Sequence, residues 1–309
     1  MGPLLFSLYI DDVTKATGNS KFHLYADDLQ IYRHFSLSDL NATVMGLNAD
    51  IETISKWAYR HGLKLNETKT QVMLMGTTKL LNTFDFNTVP KLILNDKPLL
   101  YCDNVKNLGL TMNKTLNWTT QVKETCKRVF AGIHSLKRVS HCLPQEVKVM
   151  LVKTLVFPHF NYCDVVYNDM TVELSDRLQR AQNYCLRFIY NLRRDDHVTP
   201  YFNQLSVLKL KYLREFHILR LLYSVLETHT PTYLSERFSF LSSISERNTR
   251  NGSSTLVIPA HRTTIFNKSF TVTASRLWNS LPDHLKTINK RARFGAELRI
   301  WLLGASRGR

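Results

Sequence analysis

The sequence predicts an α+β protein, with a partial antiparallel sheet and packed helices first and a mostly helical remainder after it. Three observations carry that reading. Short apolar runs separated by turn residues recur up to about residue 113, and from Thr119 the apolar residues recur at helical spacing. The charge changes at the same place. Residues 1–113 carry 11 Lys+Arg and 11 Asp+Glu, whereas the rest of the 309-residue chain carries 30 and 14, which is all of the net +16.

Residues 1–10 are apolar, have no basic leader and stop at Asp11-Asp12, well short of a membrane span. They predict a helix with a helix end or turn at the two Asp residues. Next, Phe22-His23-Leu24 and Leu29-Gln30-Ile31-Tyr32 flank Tyr25-Ala26-Asp27-Asp28, a pattern that predicts a tight hairpin with two adjacent carboxylates at its tip. Leu40, Val44, Leu47, Ile51, Ile54 and Ala58 keep helical spacing up to Gly62, a C-terminal cap. Leu63-Lys64-Leu65 and Gln71-Val72-Met73-Leu74-Met75 read as strands around an Asn66-Glu67-Thr68-Lys69 turn. Residues 77–104 read as a strand-rich connection, with a turn at Asn95-Asp96-Lys97-Pro98. Gly109 follows Asn107-Leu108, where the backbone needs either a tight turn or close approach to a ligand.

Beyond Thr119, Val122, Cys126, Val129, Ile133 and Leu136 form an apolar stripe, while Lys123, Lys127, Arg128, Lys137 and Arg138 add positive charge. Pro144 opens a second helix through Val147, Leu151 and Leu155, which Pro158 ends or kinks. Leu174, Leu178, Ala181, Cys185 and Ile189 mark a third, with Arg177, Arg180 and Arg187 alongside and Arg193-Arg194 after it. Leu208, Tyr212, Phe216, Leu219 and Tyr223 suit another helix, residues 239–254 a flexible polar loop, and Lys290-Arg291-Ala292-Arg293 an exposed helix turn or, as the alternative, a nuclear-import or RNA contact.

Five cysteines, an odd number without any Cys-x-x-Cys spacing, support neither a disulfide framework nor a zinc knuckle. They suit reduced thiols in an intracellular protein of nucleus or cytoplasm. Lys and Arg that neutralise phosphates release counterions, so the basic part suits a nucleic-acid partner, and no basic helix marks a membrane surface. Two Asp at a turn suit a hard cation such as Mg²⁺, which takes one or two carboxylates together with waters and substrate phosphates. The same pair is also ordinary turn chemistry.

The order of the blocks decides between these readings. Gly2-Pro3-Leu4-Leu5-Phe6 with Leu8-Tyr9-Ile10-Asp11-Asp12, then Tyr25-Ala26-Asp27-Asp28, then Gly62-Leu63-Lys64-Leu65-Asn66-Glu67-Thr68-Lys69-Thr70, resemble the reverse transcriptases of non-LTR (LINE-type) retrotransposons. Val105-Lys106-Asn107-Leu108-Gly109 with Leu116-Asn117-Trp118, and Ala274-Ser275-Arg276-Leu277-Trp278-Asn279-Ser280-Leu281-Pro282, extend that resemblance along nearly the whole chain.

The resemblance implies a partial polymerase palm over 1–113, a thumb-like basic helical region over 114–200, and a basic C-terminal region over 201–309. It implies metal-dependent nucleotidyl transfer, with Asp27 as the principal metal ligand and Asp28 as a secondary ligand or charge support. The ion is Mg²⁺, with Mn²⁺ as substitute. Lys69 falls where the family places a lysine that assists the leaving pyrophosphate; a solvated turn lysine is the plain alternative. Tyr25, Gly109 and the five basic residues of the first stripe would meet RNA template and DNA primer, and the substrates of the parent enzyme are deoxynucleotide triphosphates. In the family an earlier palm strand supplies a further Asp, and the fingers lie earlier still. A chain beginning inside the Gly-Pro block is expected to be an N-terminally truncated fragment with an incomplete metal site and an uncovered apolar first helix. Asp11 and Asp12, at a helix end, are poor replacements. The alternatives are a non-catalytic nucleic-acid-binding remnant and a decayed reading frame without selected activity.

Overall fold

In a computed structural model, which describes residues 1–18, 20–243 and 254–307, the chain forms two compact units, Met1–Leu116 and Asn117–Arg309. The first contains α1 (Gly2–Ile10), a 3₁₀ turn (Asp11–Ala16), β1 (Lys21–Tyr25), β2 (Asp28–Tyr32), α2 (Leu40–Arg60), α3 (Thr78–Leu81), β3 (Ile93–Leu94), β4 (Lys97–Pro98), β5 (Asn104–Asn107) and β6 (Leu110–Asn113). The strands form three antiparallel hairpins, β1-β2, β3-β4 and β5-β6.

The long helix α2 organises this unit. Val44 packs with Leu92, Leu94 and Leu99, while Ile54 and Trp57 meet Val13, Ala16, Leu24, Leu29 and Ile31. Leu65 lies against both groups. Between them, buried Asp50 accepts hydrogen bonds from the Gly18 amide, at 3.1 Å, and from the Ser20 hydroxyl, so the loop entering β1 is tied to α2. Asp12 has a similar structural task, accepting from Trp57 Nε1 at 3.1 Å.

Two expectations change here. Residues 63–65 and 71–75 form no strands; the Asn66 turn is present, but Val72 makes only an isolated bridge to Tyr101. A strand exists through its ladder, and no neighbouring strand among the described residues extends that bridge. In α1, Leu4, Leu5 and Leu8 are exposed and Ile10 alone is buried, so the helix stands with its apolar side uncovered.

The second unit runs through α4 (Thr119–Arg138), α5 (Gln145–Leu151), a π turn (Val152–Val156), α6 (Pro158–Asn161), α7 (Val172–Tyr190), α8 (Thr199–Gln204) and α9 (Leu210–Thr228). After these come α10 (Thr232–Ser235), α11 (Thr264–Asn267), α12 (Phe270–Asn279), α13 (Asp283–Lys286) and α14 (Arg291–Arg307). In α4 the stripe of Val122, Cys126, Val129 and Ile133 is buried, as the spacing predicts, and the helix packs on α7. The second helix departs from its predicted stripe: Val152 and Val156 are buried while Leu155 is exposed. An i→i+5 turn shifts the residues that follow around the helix axis, so the 3.6-residue spacing fails there.

The Gln182 amide donates to the Leu208 carbonyl at 3.0 Å and Gln179 Oε1 accepts from the Leu210 amide at 2.9 Å, joining α7 to the start of α9. Around α9 the core is built from Phe216, Leu219, Leu222, Trp278, Phe294 and Leu298. The loop predicted over 239–254 lies largely outside the described residues; at its edge Phe240 bridges Leu256.

Candidate functional site

The β1-β2 hairpin pairs Tyr25 with Asp28 and Leu24 with Leu29, so the two-residue turn is Ala26-Asp27. Asp27 occupies the tip, but Asp28 is the first residue of β2 and not a second tip residue, which corrects the expectation of two tip carboxylates. The pairing captures Asp28 because Tyr25 faces it across the strands. Side chains alternate along a strand. Leu24, Leu29 and Ile31 therefore face the α2 core, while Tyr25, Asp28 and Gln30 share the opposite face.

Both Asp side chains are exposed, and neither has a hydrogen bond or ion pair with another described residue. They keep free oxygens for a hard cation. Among the described residues no group of three His, Cys, Asp or Glu side chains comes together, so a donor set at this hairpin is limited to Asp27 and Asp28. That set fits an ion which retains waters and takes its remaining ligands from substrate phosphates.

Gln30 Nε2 donates to Asn107 Oδ1 at 2.6 Å, which ties the β5-β6 hairpin to the Tyr25/Asp28 face of β2. Leu108 and Gly109 form the turn of that second hairpin at φ 44° and 81°. Gly109 is there because the turn demands positive φ, which glycine meets without steric cost. Tyr25, Asp28 and the Gly109 turn are thus tied to one side of the unit.

Lys69 is not joined to this group by any contact. It is exposed in a turn where Asn66 Oδ1 accepts from the Thr68 and Lys69 amides, both at 3.1 Å. Glu67 in the same turn binds Lys97 and, at 3.0 Å, Asn95, anchoring the turn to β3-β4. The Lys97 ammonium, then Asn95, hold the Glu67 carboxyl below its ordinary range. A groove of about 460 Å³ opens at the far end of the first hairpin, beside Lys21, Tyr32, Arg33 and His34, away from the carboxylates.

On the second unit, Lys123, Lys127, Arg128, Lys137 and Arg138 are all exposed on α4. Lys137 is partly committed: its ammonium lies 2.8 Å from the Tyr184 hydroxyl and 4.5 Å from the centre of that ring. Arg187, beside the third predicted helix, serves the fold. Its guanidinium donates to the carbonyls of Arg193, Arg194 and Asp196, closing the loop after α7.

The tip carries one more feature that spacing did not reveal. Ala26 has φ 49°, a left-handed conformation that costs an L-residue roughly 1–2 kcal/mol. Ala26→Gly should therefore stabilise the hairpin by about 1 kcal/mol, read as increased amide-exchange protection at Tyr25 and Asp28. Unchanged or reduced protection would contradict this account of the turn.

Residues 1–112, which hold this hairpin, its supporting helix and the following turn-rich elements, match the family described as reverse transcriptase (RNA-dependent DNA polymerase). The match covers the first unit. The chain is also 24% identical over 202 residues to a probable RNA-directed DNA polymerase from transposon BS of Drosophila melanogaster. That alignment covers 61% of this chain and 21% of the relative, so the chain aligns with about a fifth of the relative's length.

The Trp278-Asn279 pair in the C-terminal block is structural. Trp278 Nε1 donates to the Ser254 carbonyl at 2.9 Å, while Asn279 both donates to and accepts from the Leu256 backbone, each at 2.8 Å. No helix among the described residues is long and apolar enough to cross a membrane.

Proposed function

We propose that this chain forms part of an RNA-directed DNA polymerase of non-LTR retrotransposon type, adding deoxynucleotides to a DNA primer paired with RNA. The observation that carries the reading is a hairpin with two unpartnered carboxylates, Asp27 and Asp28, inside the segment that matches reverse transcriptases. Asp27 is the principal ligand and Asp28 the secondary one. Asp27 and Asp28 would hold Mg²⁺, or Mn²⁺ in its place, which when bound would supply positive charge to a phosphoryl oxygen of the substrate. Lys69 would offset charge on the leaving pyrophosphate. Tyr25 and Gly109 would lie beside the primer end, a reading supported by the Gln30–Asn107 bond.

Lys123, Lys127, Arg128 and Arg138, with Lys137 in a secondary part, would hold the phosphate backbone of the template and primer. Their exposure on a helix whose opposite face is buried supports this. All five cysteines are free thiols, which suits the nucleus or cytoplasm as the place of action.

Titration with Mn²⁺, followed by NMR, should broaden the amide resonances of Tyr25 to Asp28 first. Asp27→Asn should abolish that local broadening. Broadening that survives in the variant, or that never reaches the hairpin, rejects the metal assignment. In a longer polymerase containing this segment, Asp27→Asn should abolish primer extension on an RNA template, and extension equal to the parent rejects the catalytic role.

A further inference from the structure

The largest share of positive charge does not lie on the thumb-like helices. Residues 201–309 carry 17 Lys+Arg against 6 Asp+Glu. Part of this excess is arranged along the seam between α9 and α14. These helices run antiparallel, since the Tyr212 hydroxyl reaches the Ala305 carbonyl at 3.4 Å and the Tyr223 hydroxyl reaches the Ile288 carbonyl, just before α14, at 2.8 Å.

Midway along the seam, Arg220 of α9 lies against Gly295 of α14; a Cβ at that glycine would stand 3.5 Å from Arg220 Nε. The Arg220 guanidinium lies 5.5 Å from the centre of the Phe216 ring. Arg291 and Arg299 lie four residues either side of Gly295, hence on the same side of α14 and about 6 Å away along its axis in each direction. All three arginines are exposed and none has an ion pair among the described residues. Arg299 spends one of its five donors on the Ser206 carbonyl, at 2.9 Å. Of the nearby acids, Glu297 points to another side of α14 by its two-residue offset, and Glu227, one turn past Tyr223 toward the Arg291 end of the seam, forms no ion pair among the described residues.

We propose that the row Arg220, Arg291 and Arg299 is a second nucleic-acid contact, taking successive phosphates of an RNA or DNA backbone. Like charges held in a row repel one another weakly in water, and a polyanion lying along them relieves that repulsion. Guanidinium groups bind phosphate oxygens through paired N–H donors, and the ring under Arg220 fixes one fork in place. A membrane surface fits less well, because a membrane-bound helix turns its apolar face outward, whereas Phe294, Leu298 and Leu302 of α14 are fully inside the core. The inference does not depend on catalysis at Asp27.

The test is salt-dependent binding of the full chain to a fluorescently labelled RNA–DNA duplex, comparing it with the triple variant Arg220→Gln, Arg291→Gln, Arg299→Gln. Each phosphate contact contributes about −0.9 to the slope of log K against log salt, so the variant should flatten it by about 2.7. Its binding at low salt should be weaker by ~10-fold or more. A folded triple variant with the parental slope overturns the proposal. So does a loss confined to vesicles containing phosphatidylserine while duplex binding is unchanged. If the triple variant fails to fold, Arg291→Gln alone, at a side chain without partners in the fold, should flatten the slope by about 0.9; an unchanged slope there overturns the proposal equally.

Discussion

Replacing Asp164 by Asn should destabilise the second unit by about 1–3 kcal/mol, because it weakens the buried contact with His217 and removes a negative charge that offsets the burial of the Arg214 guanidinium. Asp164 is 5% exposed and its Oδ2 lies 2.7 Å from His217 Nδ1. Arg214, 7% exposed, lies 6.0 Å from the centre of the Tyr167 ring and 3.7 Å from the Met170 sulfur. Its Nε has no hydrogen-bond partner. Burial lowers the Arg214 pKa, and the negative charge of Asp164 is the first influence that opposes this. Removing that charge leaves the burial of Arg214 less well offset, with Tyr167 and Glu215 as the remaining favourable influences. Replacing Arg214 by Met as well should recover part of the loss, since the desolvated charge goes with it. Urea unfolding of the two single variants and the double variant measures the coupling; a cost below ~1 kcal/mol for Asp164→Asn, or strict additivity, contradicts it.

Asn279→Ala should cost about 2–4 kcal/mol by orphaning two backbone groups at once. Its side-chain amide imitates a strand edge, donating to the Leu256 carbonyl and accepting from the Leu256 amide, and Leu256 is 1% exposed. Alanine can satisfy neither group, and water has little access. Loss of amide protection at Leu256, together with a lower urea midpoint, is the expected signature. Asn279→Asp keeps the acceptor but turns a carboxylate oxygen on the Leu256 carbonyl, so its cost near neutral pH should be at least that of Ala. An Asp variant as stable as wild type would place the effect elsewhere.

These two sites differ in how far the sequence exposes them. Asn279 stands in a block whose resemblance to retrotransposon sequences makes it noticeable, but only the fold gives it a task. Nothing about Asp164 or Arg214 marks them in the sequence, since they lie 50 residues apart, one in the turn after α6 and the other on α9. Periodicity reads one element at a time, and a buried charge with the carboxylate that offsets it belongs to two.

The same limit explains the elements that changed. The β1-β2 hairpin was legible because its strands meet across a two-residue turn, and the turns at Asn95-Asp96 and Leu108-Gly109 were legible as turns, but the β5 and β6 strands on either side of the latter were not. Residues 63–65 and 71–75 have suitable composition, yet strand pairing there is not a local matter, and only the Val72–Tyr101 bridge forms. Arg187 looked like any other exposed cation of its helix until the loop at 193–196 folded back onto it.

By itself the sequence determined the α+β class, the hairpin presenting Asp27 and Asp28, the buried stripes of α2, α4 and α7, and the separation of a charge-neutral first part from a basic second part. These depend on neighbours within about one turn of helix or one hairpin. The tertiary structure alone decided which face of β2 meets the Gly109 hairpin, which arginines serve the fold, and which ones line the α9–α14 seam. Those outcomes depend on residues distant in the chain coming together, and no local spacing encodes such a meeting.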